Sequence, residues 1–254
     1  MVPRPLGRTG LMVSPIALGT TKLGRNTDVK YPGAFELPSD AQVGELLETA
    51  LALGVNLIDT APAYGESETR LGPFVKANRD RLVLCTKCGE QYEQGRSRYD
   101  FSASAIIASA EESLRRLKCG YIDILALHSH GRDAEILTQT DALEGLQRLK
   151  KGGKVRAIGI SAKTELGIAE ASRTLDVVMA PFSQRETSLA DALKKAHEAG
   201  LGVLAIKGLF SGRLEARAAI EFVLRQPFID ALILGTINLA HLKEAVSIAE
   251  EIST

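Results

Sequence analysis

The chain has 254 residues, 45% hydrophobic and 24% charged, with 31 basic residues set against 31 acidic ones. This composition fits a globular protein with a large core, and the length allows one α/β barrel domain over residues 1–254. A formal charge of zero offers no basic stripe for a phosphate backbone, so nucleic acid is not an expected partner, and no apolar run approaches the roughly 18 residues of a membrane span.

The opening RPLGRTGLMVSP places Gly7 and Gly10 between short polar and apolar pieces, the pattern of a β-hairpin that plugs one end of a barrel. MVPRPLGRTG lacks the apolar centre of a signal peptide, and a cytoplasmic location is expected. Eight β-rich runs follow: PIALG (15–19), VNLID (55–59), LVLCT (82–86), IDILAL (122–127), VRAIGI (155–160), DVVMA (176–180), GVLAI (202–206) and DALIL (230–234). Segments of helical period lie between them, among them 41–54, 103–119 and 190–200, and LALGV and AGLG put glycine at a helix end just before a strand. Apolar strands alternating with amphipathic helices specify a parallel sheet covered by helices, and eight such units close most simply into a (β/α)8 TIM barrel with an N-terminal hairpin. No G-x-G-x-x-G follows any strand, which counts against an open dinucleotide-binding sheet.

Two motifs lead nowhere. GTTKLGRN (19–26) has the glycine spacing of a P-loop without the following Lys-Ser/Thr, and Cys85 and Cys88 form C-x-x-C with no second pair at zinc spacing. No metal site is expected, and the odd third cysteine, Cys119, argues against a disulfide framework.

In a barrel of this kind chemistry sits at the C-terminal strand ends. Asp59 ends the second run, Lys87 follows the third on the same side as Val83 and Cys85, His128 ends the fourth, and Tyr64 lies in the turn after the second. Together they suit proton transfer to a developing alkoxide. A phenol with a pKa of about 10 is a weak acid at neutral pH unless a cation lowers it; Lys87 would do so, Asp59 would hold Lys87 charged, and His128 would orient a carbonyl oxygen toward Tyr64.

The pieces GRTGLMVSPIALGTTKLG, NLIDTAPAYGESETRLG, LVLCTKCG, YIDILALH, GKVRAIGIS and ILGTINLAHLKEA resemble the aldo-keto reductases, in order and over nearly the whole chain. The resemblance implies a (β/α)8 barrel, a catalytic tetrad of Asp59, Tyr64, Lys87 and His128, and reversible hydride transfer between nicotinamide and a carbonyl or alcohol carbon. It further implies cofactor contacts at Gly19, Thr20, Thr21, Asp59, Ser161 and Phe182, the last as a stacking ring. Gly208, Leu209 and Gly212 would lie over the pyrophosphate, with Gly235, Thr236, Asn238 and His241 at the adenosine phosphate. Asn238 there could cap a helix whose N-terminus attracts phosphate.

The chain departs from the family pattern at Thr21, Ala162, Met179 and Ala245, and His241 stands where many members carry an arginine for the 2′-phosphate. NADP(H) is the favoured cofactor, with NAD(H) the alternative. The chain stops about one helix past the eighth strand, so an open pocket is expected, or one completed by another subunit; both monomer and homo-oligomer stay open. Long insertions follow the first strand (25–40) and the third (89–104), with Tyr31, Phe35, Tyr92, Tyr99 and Phe101 as candidate substrate contacts. The segment TKCGEQYEQGRSRYDFSA resembles the branch with galactose and aldose dehydrogenases, so oxidation of a sugar lactol stands beside reduction of aldehydes and ketones. Two further readings are a Schiff-base enzyme using Lys87 or Lys207 and a cofactor-binding regulatory barrel with little turnover.

Overall fold

A computed structural model describes the whole chain except Lys30 and Pro32 in the first insertion, Gln94 in the second, and Thr254. The chain begins with the expected hairpin, β1 (Arg4–Pro5) antiparallel to β2 (Met12–Val13). It continues through β3 (Ile16–Gly19), the short α1 (Thr21–Gly24), α2 (Asp40–Ala52), β4 (Leu57–Asp59), α3 (Ser67–Asn78) and β5 (Val83–Cys88). The second insertion folds as a second antiparallel hairpin, β6 (Glu90–Glu93) and β7 (Arg96–Tyr99), which the sequence pattern did not reveal. Then come α4 (Ala103–Leu117), β8 (Ile122–His128), α5 (Asp133–Gln139), α6 (Ala142–Lys151), β9 (Val155–Ser161), α7 (Glu165–Thr174) and β10 (Val177–Pro181). The chain closes with α8 (Ala190–Glu198), β11 (Gly202–Ile206), α9 (Ala216–Leu224), β12 (Ala231–Leu234) and α10 (Leu239–Ser253).

The eight expected strands, β3, β4, β5, β8, β9, β10, β11 and β12, pair in parallel as one closed barrel. Strand alternation decides what faces inward. Leu57, Val83, Ile124, Ala157, Val177, Leu204 and Ala231 form the barrel interior, while Ile58, Leu84, Leu125, Ile158 and Leu232 face the helices. Helix boundaries follow side-chain capping: Ser39 and Gln42 form a capping box on α2, and Ser102, Thr164 and Glu215 cap α4, α7 and α9. Gly54 and Gly200 take the left-handed conformation at the helix ends where the sequence placed them. Among the described residues no helix is long and apolar enough to cross a membrane.

The hairpin closes the N-terminal end of the barrel. Leu6, Leu11 and Val13 join the interior cluster, and Leu6 packs on Gly202 at the start of β11. Gly7 has φ +46°, and a Cβ there would come 2.3 Å from the backbone nitrogen of Gly202. Gly7→Ala therefore meets both left-handed strain and a backbone clash, and is expected to cost about 2 kcal/mol or more, read as a lower midpoint in urea unfolding.

Candidate active site

At the open end of the barrel, the alternation that fills the interior with leucine and valine ends in polar groups. Lys87 and Asp59 both point inward from adjacent strands, and Lys87 Nζ donates to Asp59 Oδ1 at 2.6 Å and to the Thr60 carbonyl at 2.9 Å. Both side chains are almost wholly enclosed, 2% and 4% exposed. Burial would lower the lysine pKa, but Asp59 and then Tyr64 raise it above the ordinary lysine value, so the ammonium stays charged.

Tyr64 reaches this pair from a 3₁₀ turn, Pro62–Tyr64, that follows β4. The turn is held by two glycines in close contact: a Cβ on Gly65, at φ +60°, would lie 2.3 Å from the Gly24 carbonyl oxygen, and one on Gly24 would lie 2.3 Å from the Ser67 nitrogen. Lys87 Nζ stands 4.8 Å from the centre of the Tyr64 ring. Burial pushes the Tyr64 phenol up, Lys87 is the strongest influence pulling it down, and the balance stays above the ordinary phenol value. The pull of Lys87 is evident in the sequence, whereas the burial that opposes it appears only in the folded chain.

His128 ends β8 with its ring edge-on to Tyr64, centroids 6.0 Å apart. Burial pushes the imidazole below its usual value. Its Nδ1 lies 2.6 Å from Oε2 of Glu90, the first residue of β6. Sequence reasoning missed Glu90. The only signal was an acid directly after a strand that carries a site lysine, and its partner lies on a different strand.

The other expected site residues divide by surroundings. Gly19, at the end of β3, pairs with Asp59 across the sheet, and Ser161, at the end of β9, pairs with His128. Thr20 is fully buried, its hydroxyl bonded to the Asp59 carbonyl and receiving Ser67 Oγ, so it anchors the strand end. Thr21 lies near the Tyr64 side chain and helps pull its phenol down. Met179 faces the barrel interior. Phe182, expected as a stacking ring, is 2% exposed and is itself stacked on Phe222 and edge-on to Phe228; it leaves β10 on the outer side and packs into the helix layer. The apolar side chain that does face inward at the neighbouring strand end is Ile206, which packs against the interior cluster.

The segment 207–212 holds Lys207, Phe210, Ser211 and Gly212 at positive φ, while the backbone N–H groups of Gly208, Leu209 and Ser211 have no partner among the described residues. Beyond β12, Thr236 Oγ1 accepts from the Asn238 N–H, and Asn238 Oδ1 accepts from the N–H groups of Ala240 and His241, capping α10. His241, on its first turn, and Lys243, just beyond it, are exposed. Unpaired N–H groups in the segment after β11 and a helix N-terminus after β12 are the chemistry a dinucleotide's phosphates need. Among the described residues no cluster of His, Cys, Asp or Glu could hold a metal ion, and the three cysteines are free thiols.

The insertions flank the mouth. Tyr31, under the Lys22 ammonium at 4.0 Å, brings its hydroxyl so close to Gly235 that a Cβ there would sit 2.8 Å away; its phenol is pushed up to about 12 by burial and by Tyr64. Phe35 packs edge-on against it. Tyr92 is stacked under Arg25 at 3.3 Å and bonded to Asp28, joining the two insertions. Tyr99 and Phe101 stack on each other with His130 edge-on to both, and the Tyr99 hydroxyl donates to Glu90.

A family model described as "Aldo/keto reductase family" matches residues 15–218. The chain belongs to the aldo-keto reductases. It is 33% identical over 233 residues to L-galactose dehydrogenase of Arabidopsis thaliana, covering 86% of this chain and 69% of that one. It is 30% identical to D-threo-aldose 1-dehydrogenase of a Pseudomonas species, covering 81% and 68%, and 29% identical to the NADH-specific methylglyoxal reductase of Escherichia coli, covering 86% and 71%. A solved structure from Pseudomonas aeruginosa assigned to the aldo-keto reductases superposes with a TM-score of 0.91 at 42% identity, covering 99% of this chain and 95% of that one. The chain thus spans about two thirds of the length of these curated relatives and nearly all of that solved chain.

Two outcomes follow for the buried pair in this aldo-keto reductase. Asp59→Ala strands a buried ammonium and should lower stability by about 3–5 kcal/mol, measured by urea unfolding. Lys87→Met removes the strongest influence holding the Tyr64 phenol down, so the tyrosine titration should move to still higher pH in a 295 nm difference titration referenced to Tyr64→Phe.

Proposed function

We propose that this chain interconverts a carbonyl compound and its alcohol with a nicotinamide dinucleotide, Tyr64 giving a proton to the substrate oxygen in reduction and taking it back in oxidation. The observation that carries this reading is the buried Lys87 ammonium, held 2.6 Å from Asp59 Oδ1 and 4.8 Å from the Tyr64 ring centre. An ammonium there favours negative charge on the phenol oxygen as its proton leaves, and Asp59 keeps the lysine charged without reaching the substrate. His128, edge-on to the Tyr64 ring, would contact the same oxygen. When bound, the nicotinamide supplies or receives the hydride. Gly19, Ser161 and Ile206 would border it, the segment 207–212 would hold the pyrophosphate, and Thr236, Asn238 and His241 the adenosine phosphate.

Tyr64→Phe should lower kcat by about 100-fold or more while leaving cofactor affinity near that of the unaltered protein, tested by steady-state kinetics and fluorescence titration. Full activity in that variant would sink the assignment and favour a Schiff-base or regulatory role.

NADP(H) is the proposed cofactor, since His241 and the Lys243 ammonium are exposed near the N-terminus of α10. A specific observation favours NAD(H) instead: Glu36 and Glu45 line a cleft of about 260 Å³ beside Ile237 and Leu239, and acids suit a ribose hydroxyl better than a phosphate. Titration with NADPH and NADH, repeated on His241→Arg, separates the two. Tighter NADPH binding supports the first, and an NADH preference that the arginine reverses supports the second. On the substrate side, similarity to L-galactose dehydrogenase and D-threo-aldose 1-dehydrogenase supports a sugar lactol beside simple aldehydes and ketones.

A further inference from the structure

The hairpin β6–β7 presents its two faces to different surroundings. Alternation and register place Glu90, Tyr92, Ser97 and Tyr99 on one face and Gln91, Glu93, Arg96 and Arg98 on the other. The first face is turned to the barrel mouth and tied there at both ends. At its base, Glu90 Oε2 lies 2.6 Å from His128 Nδ1. Toward its tip, the Tyr92 ring lies under the Arg25 guanidinium at 3.3 Å, and the same guanidinium donates to the carbonyl of Ala63, the residue before Tyr64, at 3.2 Å.

Tyr99 belongs to this face and is the one ring on it left largely uncovered. It is 39% exposed, whereas every other tyrosine and phenylalanine of the chain is buried or half-buried. This exposure is not looseness. The Tyr99 hydroxyl donates to Glu90 Oε1 at 3.1 Å, Phe101 stacks on the ring with the two planes 21° apart, and His130 stands edge-on at 5.2 Å. Phe101 is in turn seated on Gly89, where a Cβ would come 2.4 Å from its Cε1. A ring backed in this way beside His128 has lost its own freedom in advance, so a ligand that stacks on it incurs little ordering cost.

We infer that Tyr99 is a specificity-determining residue: its ring is a preformed platform for the C–H face of a ring-closed sugar, so the site takes a cyclic lactol in preference to an open-chain carbonyl compound. This rests on the oxidoreductase reading and narrows its substrate class. The C–H bonds on one face of a pyranose present partial positive charge to the negative face of an aromatic ring, and they form a flat patch only while the sugar is closed. Hydroxyls on the rim of the same sugar would meet the polar members of the hairpin face, Glu90 and Ser97. A three-carbon dicarbonyl has neither that face nor that rim and gains nothing from the platform.

The test sets Tyr99→Leu, which fills the space without an aromatic face, against Tyr99→Phe, which keeps the face. Binding is read by saturation-transfer NMR titration of the full chain at pH 7 with 1,5-anhydro-L-galactitol, a closed ring without the anomeric hydroxyl, and with galactitol, its open-chain counterpart. The unaltered protein and Tyr99→Phe should bind the closed compound about tenfold more tightly than the open one, and Tyr99→Leu should bind the two alike. In steady-state kinetics Tyr99→Leu should raise KM for L-galactose about tenfold with kcat within about twofold, leaving KM for methylglyoxal unchanged. No preference for the closed compound in the unaltered protein, or a preference that survives in Tyr99→Leu, overturns the inference. Its loss in Tyr99→Phe does so too, assigning the effect to the hydroxyl, and so does a methylglyoxal KM that rises together with that for L-galactose. A preference that depends on Tyr99 in a protein turning over neither compound with either dinucleotide supports the platform and overturns the oxidoreductase reading alone. Turnover of methylglyoxal with no preference between the two ligands overturns the platform and leaves that reading standing.

Discussion

A charged lysine enclosed in the mouth of a barrel is tolerable only because a carboxylate meets it. The Lys87–Asp59 pair is the constraint on which the rest of the site depends. It requires β4 and β5 to be neighbours in a register that sets Asp59 against Cys85, one pleat below the lysine. It also requires the chain after Asp59 to supply the Thr60 carbonyl to the same ammonium. From that fixed cation the Tyr64 ring takes its electrostatic environment, and the Gly24–Gly65 approach holds the ring there.

The family's barrel thus serves as a rigid frame, and the two insertions give this member its own character. The first brings Tyr31 against Gly235 and close enough to Tyr64 for the two phenols to influence each other. The second, a hairpin, delivers a glutamate to the back of His128 and an aromatic group of Tyr99, Phe101 and His130 beside it. Tyr92 and Arg25 tie the two insertions together. Both insertions thus border the Lys87–Asp59 pair, Tyr64 and His128, in keeping with a fold whose chemistry varies through the loops at its C-terminal face.

The barrel was legible in the sequence because its strands are buried on both faces. Such strands read as short apolar runs, and the glycines that stop the intervening helices, Gly54 and Gly200, mark the boundaries. Asp59, Lys87 and His128 were legible for a related reason: polarity at the end of an apolar strand is costly and so is conspicuous. Phe182 shows the limit of this reasoning. The family resemblance implied a stacking ring there, but the parity of β10 turns it outward onto Phe222 and Phe228, and Ile206 faces the mouth instead. The hairpin β6–β7 escaped because its strands are largely exposed and carry no apolar alternation to read.

By itself, then, the sequence determined the barrel, its plug and the set of polar groups at its mouth, since burial of one residue type or another is written locally and repeats with the period of the strand. Only the tertiary structure decided the balance of charge among those groups. Whether Tyr64 is pulled down by Lys87 more than burial pushes it up depends on distances between residues far apart in the chain, and a carboxylate 2.6 Å from an imidazole nitrogen is visible only once the second insertion is set beside the end of β8.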